Sequence, residues 1–585
     1  MLFIVEYNLQ HMLLILLVAL LMLFILKHII FTFLKKEKLR IFTYSKTGEE
    51  EIQEDYFDIA KNKDATLVVM SDGLGKNEAG KISSFSSVKT IEKMFLEEYS
   101  NEKINYFFKK AFNKVNHEII KRVEKDKGGT STLSAIIEKE SLHYASLGDV
   151  MIALFRGNEL IKLNESHCIN EVAKREYYKG KVEKIEALQV LNNKKILYYL
   201  GQENFDNSKI EMDSIKLEKN DLLLIMSRGI YENIRWVDLE NILAENKKQL
   251  DTALNNIILE TEEKRYGRIN KNGSIILIKI QNKLGWRQMR KLNSKFKTSF
   301  MSEEGTYLQN KDYFAFVELD KMACYVISDG IDEDTEIETA KIAVTEFIRL
   351  FTQRPTMNKY IIKKYLNKVN EEVLSSGKNV RLKASMTIAI TNYSKVRYIV
   401  IGNSRFYFFK DGYLKEKSKD LSLTQEMLDD YMLPLDKAAK HIERNNLSCY
   451  LGQNKLNSPF ISKKMKLDDG DSFTLLTKGI WENCDEKEIE DALEGAKEPQ
   501  EVADRVEDMI LSKQLKTIEN YTFAITFVEK AYINPKRKAL IKKILLAAIP
   551  IILVITVAAV ALTIRQNKKK EQIEIMNMWK KQMNI

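Results

Sequence analysis

The chain repeats itself. NKVNHEII at 113–120 returns as NKVNEEVL at 367–374, and YLGQ at 199–202 returns at 450–453. MSDGLG at 70–75 returns as ISDGID at 327–332, and MSRGIYEN at 226–233 as TKGIWEN at 477–483. All four matches keep one order and one spacing of roughly 250 residues, which chance matches would not do. That spacing is far too long for a solenoid repeat and equals a full domain. A chain of 585 residues also exceeds what one hydrophobic core supports. The repeat therefore predicts two homologous domains, 36–285 and 286–532.

Local patterns agree between the two stretches. TLVVM (66–70) and ACYVI (323–327) read as buried strands that stop at Ser-Asp-Gly. SSFSSVKTIEKMFLEEY and IETAKIAVTEFIRLF follow, with apolar residues at helical i, i+3, i+4 spacing. A second helix carries the NKVN repeat. Alternating strands come next, with hairpin signals at Asn392 and at Asp411-Gly412. Gly128-Gly129 and Gly201 suit turns. Helices packed on antiparallel sheets make an α+β layered fold. Two apolar runs deliver a cation at the same kind of strand end: LLLIM runs into Ser227-Arg228-Gly229, and FTLL into Thr477-Lys478-Gly479.

The two ends read differently. Residues 544–564 are uncharged and almost wholly apolar, long enough at about 1.5 Å per residue to cross a hydrocarbon core. The apolar run 12–26, with Lys27 snorkelling, extends to about Leu34 and predicts an uncleaved N-terminal transmembrane anchor over 1–35. No Lys or Arg precedes that run, whereas Lys35, Lys36, Lys38 and Arg40 follow it, so the positive-inside rule puts the following residues in the cytoplasm. The segmentation then adds a basic juxtamembrane linker at 533–543, the transmembrane helix 544–564 and a Lys-rich tail at 565–585. A multi-pass protein of the inner membrane is expected, with the lipid bilayer as one partner and both large domains in the cytoplasm. The net charge of +10 is mild and its acids and bases are interspersed, which excludes a nucleic-acid partner. Cys168, Cys324, Cys449 and Cys484 form no C-x-x-C pair, which argues against zinc or disulfides and suits a reducing compartment. Few prolines with many Lys, Asn and Ile suggest a bacterial source of AT-rich genome.

Six motifs, in order and twice over, resemble the metal-dependent protein serine/threonine phosphatases (PPM-type, or type 2C). In the first copy these are QEDYF with Asp55, SDG with Asp72, GTSTLSAI, SLGDVMIALFRGNEL with Asp149, SRG at 227–229, and KNGSIILIKI. The second copy has NKDYF with Asp312, SDG with Asp329, ASMTIAI, IGNSRFYFFKDGYL, TKG at 477–479, and ENYTFAITFV. The resemblance implies two tandem α-β-β-α layered sandwiches, each with a pair of Mg²⁺ or Mn²⁺ ions held by hard oxygen ligands around an activated water. Carried over residue by residue, the first copy keeps Asp55, Asp72 and Gly73, together with Asp149 as the Gly-Asp acid. It places Arg228 and Lys271 where the second SDG aspartate and the late aspartate belong, and Glu50 where the phosphate-gripping arginine belongs. The second copy keeps Asp312, Asp329 and Gly330, with Glu519 at the late position. It replaces the second SDG aspartate by Lys478, the phosphate arginine by Tyr307, and the Gly-Asp acid by Asn403. His167 matches a family histidine and reads as structural.

Each aspartate-to-cation change alters a site by two charge units, as much as one divalent ion brings. Arg228 and Lys271 are therefore expected to sit where ions would, paired with Asp55 and Asp72, the alternative being that these positions drifted after activity was lost and their side chains turn to solvent. No cofactor is expected in the first copy, and at most one Mg²⁺ or Mn²⁺ in the second, on Asp312, Asp329 and Glu519. The reading is a membrane-anchored tandem pseudophosphatase with no confident catalytic residue. It would bind or scaffold a protein partner: a kinase, a phosphoprotein or a membrane complex. The alternatives are an active Mg/Mn-dependent protein serine/threonine phosphatase working through the second copy, and a structural subunit of a membrane or envelope complex.

Overall fold

The computed structural model describes the chain from Leu39 to Tyr532 and again over 570–582. Within the first span it leaves out 49–52, 63–64, 76–77, 101–102, 124–127, 248, 263–271, 281–289, 292–293, 308, 332–336, 378–379, 431 and 434–445. The contacts divide the chain into one unit ending at Ala531 and another from Tyr532 onward. In the latter the described residues 570–582 form an exposed helix.

The first half runs β1 (Leu39–Lys46), β2 (Asp55–Lys61), β3 (Ala65–Leu74), α1 (Ala79–Glu98), α2 (Ile104–Val123), β4 (Gly129–Glu138), β5 (Ser141–Leu147), β6 (Met151–Arg156) and β7 (Glu159–Lys162). It continues with α3 (Ile169–Tyr178), α4 (Lys184–Gln189), β8 (Glu211–Lys216), β9 (Leu222–Met226), α5 (Arg228–Tyr231), α6 (Trp236–Glu245), α7 (Leu250–Glu262) and β10 (Gly273–Ile280). The second half repeats much of this order: β11 (Lys295–Glu303), β12 (Asp312–Glu318), β13 (Ala323–Gly330), α8 (Thr339–Gln353), α9 (Lys359–Ser376), β14 (Ala384–Thr391), β15 (Lys395–Ile401), β16 (Arg405–Lys410) and β17 (Tyr413–Lys417). Then come α10 (Leu423–Asp429), β18 (Phe460–Ile461), β19 (Met465–Lys466), β20 (Ser472–Leu476), α11 (Lys478–Trp481), α12 (Glu486–Leu493), α13 (Pro499–Ser512) and β21 (Tyr521–Lys530).

Period-two alternation explains why β3 is apolar on both faces. Leu67 and Val69 point to α1 and α2, where Val88, Ile91, Phe108 and Phe112 cover them. Val68 and Met70 point the other way, onto Ile41, Ile225 and Ile276 of the facing sheet. All four are fully buried, which is worth about 1.5–3 kcal/mol for each such side chain. The first half is thus a sandwich of β2-β3-β4-β5-β8 against β1-β10-β9-β6-β7.

The halves do not stand apart. β1 pairs antiparallel with β12, so β18-β15-β14-β13-β12 of the second half continues into β1-β10-β9-β6-β7 of the first as one large sheet. The remaining sheet of the second half is β11-β21-β20-β16-β17. One hydrophobic cluster crosses the junction, from Phe42, Leu224 and Leu254 to Val326, Val344 and Phe347.

The expected membrane segments need correction. Residues 1–35 and 544–564 lie outside the described residues, and among the described residues no helix is long and apolar enough to cross a membrane. The helices α1 and α2 have 20 residues each but carry several charges, such as Lys81, Lys89, Glu92 and Glu97 in α1. Charges of that density are costly in hydrocarbon. The flanking transmembrane helices, the multi-pass inner-membrane location and the lipid partner are accordingly not retained; the α+β content is.

Candidate functional site

Each half brings two aspartates together by strand register. Asp55 opens β2 opposite Asp72 on β3, and Asp312 opens β12 opposite Asp329 on β13. Directly opposed residues lie about 4.5–5.5 Å apart at Cβ, so each pair puts two carboxylates side by side. Asp55 and Asp312 are buried.

A hydroxyl relay supports the buried member of each pair. Ser227 Oγ donates to Asp55 Oδ2 at 2.6 Å and accepts from the Ser274 amide at 2.9 Å. Thr477 Oγ1 donates to Asp312 Oδ2 at 2.6 Å and accepts from the Thr522 amide at 2.8 Å. Sequence reasoning passed over both hydroxyls. The available signal was that each repeat places a hydroxyl residue immediately before its strand-end cation.

Gly73 and Gly330 follow these acids at the ends of β3 and β13. Their amides donate to Glu54 O and Lys311 O, each at 3.1 Å. A Cβ at Gly73 would lie 2.4 Å from Gly80 O, and one at Gly330 2.9 Å from Lys311 O, so both positions exclude a side chain. Asn272 and Asn520 play matching parts nearby, accepting from the Gly48 amide at 2.6 Å and the Lys311 amide at 3.1 Å.

The cations at the strand ends take particular partners. Arg228 Nε lies 3.3 Å from Glu232 Oε2 and 3.9 Å from Asp149 Oδ2, while its backbone amide faces Asp72 Oδ2 at 3.4 Å. Its guanidinium is thus placed toward Asp149 and Glu232. Lys478 Nζ lies 2.7 Å from Glu519 Oε1 and 3.6 Å from Glu482 Oε2. The glutamate four residues on is the Glu of GIYEN and GIWEN, and helical spacing brings it back to the cation.

Asp149 is further held by the Cys168 thiol, which donates to Oδ2 at 3.2 Å. Burial, and then the Asp149 charge, push that thiol up to about 11. Tyr231 also bonds Asp149, and burial with that carboxylate raises its phenol well above the usual range. Asn403 is buried, its carbonyl accepts from Trp481 Nε1 at 2.8 Å, and its Oδ1 has no hydrogen-bond partner. Tyr307 is exposed. Lys271 and Glu50 lie outside the described residues.

Mg²⁺ and Mn²⁺ require several oxygen donors around each ion. Among the described residues no group of three or more His, Cys, Asp or Glu side chains is placed to hold a metal ion. In the second half Glu519 is committed to the Lys478 ammonium. Asp312 keeps one buried oxygen, Oδ1, with no hydrogen-bond partner. Burial, and next the neighbouring Asp329 charge, raise the Asp312 carboxyl well above its ordinary range. These described residues do not fit a two-metal centre.

Residues 40–176 match the family model described as Protein phosphatase 2C. The serine/threonine phosphatase stp of Listeria welshimeri serovar 6b is 26% identical over 210 residues, covering 34% of this chain and 81% of that protein. Protein phosphatase PhpP of Streptococcus pneumoniae is 26% identical over 190 residues, covering 31% of this chain and 74% of that protein. Among solved structures, the S. agalactiae serine/threonine phosphatase aligns with a TM-score of 0.37 at 20% identity, over 42% of this chain and 100% of that one. The catalytic domain of the phosphatase PstP, in complex with two manganese ions, aligns with a TM-score of 0.34 at 16% identity, over 42% and 99% of the two chains. Over residues 40–176, then, this chain is similar to domains of the protein phosphatase 2C (PPM) type.

Proposed function

We propose that this protein is a tandem pseudophosphatase, with a second degenerate PPM-type copy over 286–532, that binds phosphoproteins or their kinases without hydrolysing phosphate. The observation that carries the reading is Lys478 Nζ at 2.7 Å from Glu519 Oε1, where a metal-binding aspartate would otherwise stand. An ammonium at that place compensates the carboxylate and supplies no oxygen to an ion. Arg228, beside Asp149 and Glu232, supports the same reading in the first half. Without a pair of bridged ions nothing lowers the pKa of an attacking water.

A second reading is favoured by one specific atom. Asp312 Oδ1 is buried without a hydrogen bond, beside the carboxylate of Asp329. One Mg²⁺ or Mn²⁺ held by these two aspartates and the Gly330 carbonyl, with Glu519 turned from Lys478 to the ion, would satisfy it, and would leave a weak phosphatase in the second half.

Titration of the full chain with Mn²⁺ by calorimetry, together with an aryl phosphate assay, separates the two. The pseudophosphatase reading expects at most one equivalent of Mn²⁺ and no turnover above the metal blank. Two equivalents, or turnover abolished by Asp329→Ala, would overturn it in favour of an enzyme.

A further inference from the structure

The helix over 570–582 reads KEQIEIMNMWKKQ and belongs to the unit from Tyr532 onward. Every one of its residues is exposed. Ile575 and Met576 are each 55% exposed, Met578 66% and Trp579 61%. Large apolar side chains gathered so closely on a surface mark a contact face rather than ordinary scatter. A helix of this length is also marginal in water by itself, and draws its stability from packing an apolar face.

The apolar residues form one seam. Gln572, Ile575, Trp579 and Gln582 follow each other at steps of three, four and three, the spacing of side chains along one helix face. At about 100° per residue, Met576 and Met578 flank that seam, while Lys570, Ile573, Asn577 and Lys581 lie away from it. The seam is its own complement when two copies run antiparallel. With Ile575 of one helix level with Trp579 of the other, Gln572 comes level with Gln582, so the amides meet amides and the apolar pair meets its like. Lys580 and Lys581 then stand level with Glu574 and Ile573, within a turn of Glu571. A parallel pair would instead set each acid beside its own copy and each lysine beside its own.

We propose that this helix pairs antiparallel with the same helix of a second copy of the chain, making a dimer. Two glutamines on the seam and Glu571 at its margin distinguish this face from one made for lipid, where such groups would be buried without partners. Across a helix pair the glutamines bond each other and fix the register, as single polar seam residues do in coiled coils. A dimer would present each binding surface of the large unit twice, so that weak contacts with a partner gain avidity. The inference is independent of whether the aspartate pairs hydrolyse phosphate.

The test is sedimentation equilibrium of the full chain. A monomer–dimer equilibrium is expected, with a dissociation constant on the order of 100 µM, since the seam is short and association is costly. Ile575→Gln should weaken it about tenfold or more, because the symmetric pair loses two contacts with Trp579 at once. Ile573→Gln, a change of the same kind off the seam, should leave it unaltered. Lys580→Glu with Lys581→Glu, and separately Glu571→Lys with Glu574→Lys, should each give monomers, and mixing the two variants should restore a dimer. The proposal is overturned by a chain that stays monomeric, including one that binds phosphatidylglycerol vesicles instead. Equal effects of the two isoleucine changes, or no dimer in the mixture of charge variants, overturn it as well.

Discussion

His167 shows how one buried side chain makes stability depend on pH. The Gly148 amide donates to its Nδ1 at 2.9 Å, so that nitrogen carries no proton. Burial, and next the Arg175 charge, push the imidazole down to about 4. Its unfolded value is about 6.5, so the unfolded chain takes up a proton first as pH falls. The His167 contribution is complete above about pH 6.5 and is lost as pH falls toward 4, a loss of about 3 kcal/mol at most. Urea unfolding at pH 7 and pH 4.5 should show this loss, and His167→Gln should flatten that part of the profile. The same scale shows what a residue-level reading reaches. The aspartate pairs and the strand-end cations are legible, because a motif carries them within a few positions. The partners of Arg228 are not. Its guanidinium lies toward Asp149 and Glu232, and Asp149 arrives from a strand loop some eighty residues away.

At the scale of elements, helices and strands of the two halves meet through buried ion pairs as well as through strand pairing. Lys89 of α1 reaches Asp58 of β2 at 2.8 Å, Glu92 at 3.1 Å and Glu498, just before α13, at 3.0 Å. Lys297 of β11 reaches Glu498 at 2.7 Å and Glu529 at 2.8 Å. Burial works against the Lys89 charge, but Tyr56 and these carboxylates more than offset it and hold its pKa well above the usual lysine range. Lys89→Met would leave several carboxylates buried without their cation, which costs about 3–5 kcal/mol. Denaturant unfolding should show that loss, and adding Glu92→Gln should recover part of it. If Lys89→Met unfolds with an unchanged midpoint, the network contributes nothing to the join. Each helix involved is legible from its apolar spacing, whereas the charges that link them belong to segments hundreds of residues apart.

At the scale of the molecule, the two halves share a sheet and a core. Lys46 and Glu262 form an ion pair at 2.8 Å with both side chains buried, and Tyr44 donates to Glu262 at 3.3 Å. Tyr313 of β12 packs in the same cluster as Tyr44 of β1. Separating the halves would expose this pair together with the open edges of β1 and β12, a known route to aggregation. Residues 36–285 and 286–532 produced as two chains should therefore copurify through a tag on either one. Each alone should precipitate or self-associate on sedimentation. Two stable monomers that ignore one another would show that the junction is not cohesive.

What the sequence by itself determined is local: which runs are strands, which are helices, and where Asp55, Asp72, Asp312 and Asp329 stand relative to their strand ends. Those features follow from side-chain periods of two and 3.6 and from short motifs, so a few neighbouring residues specify each. The tertiary structure alone decided that β1 joins β12 while β2 and β11 stay open, and which carboxylate each buried cation meets. Strand edges of similar pattern offer the same backbone groups. The choice between them rests on charges and packing contributed by distant segments, which no local period records.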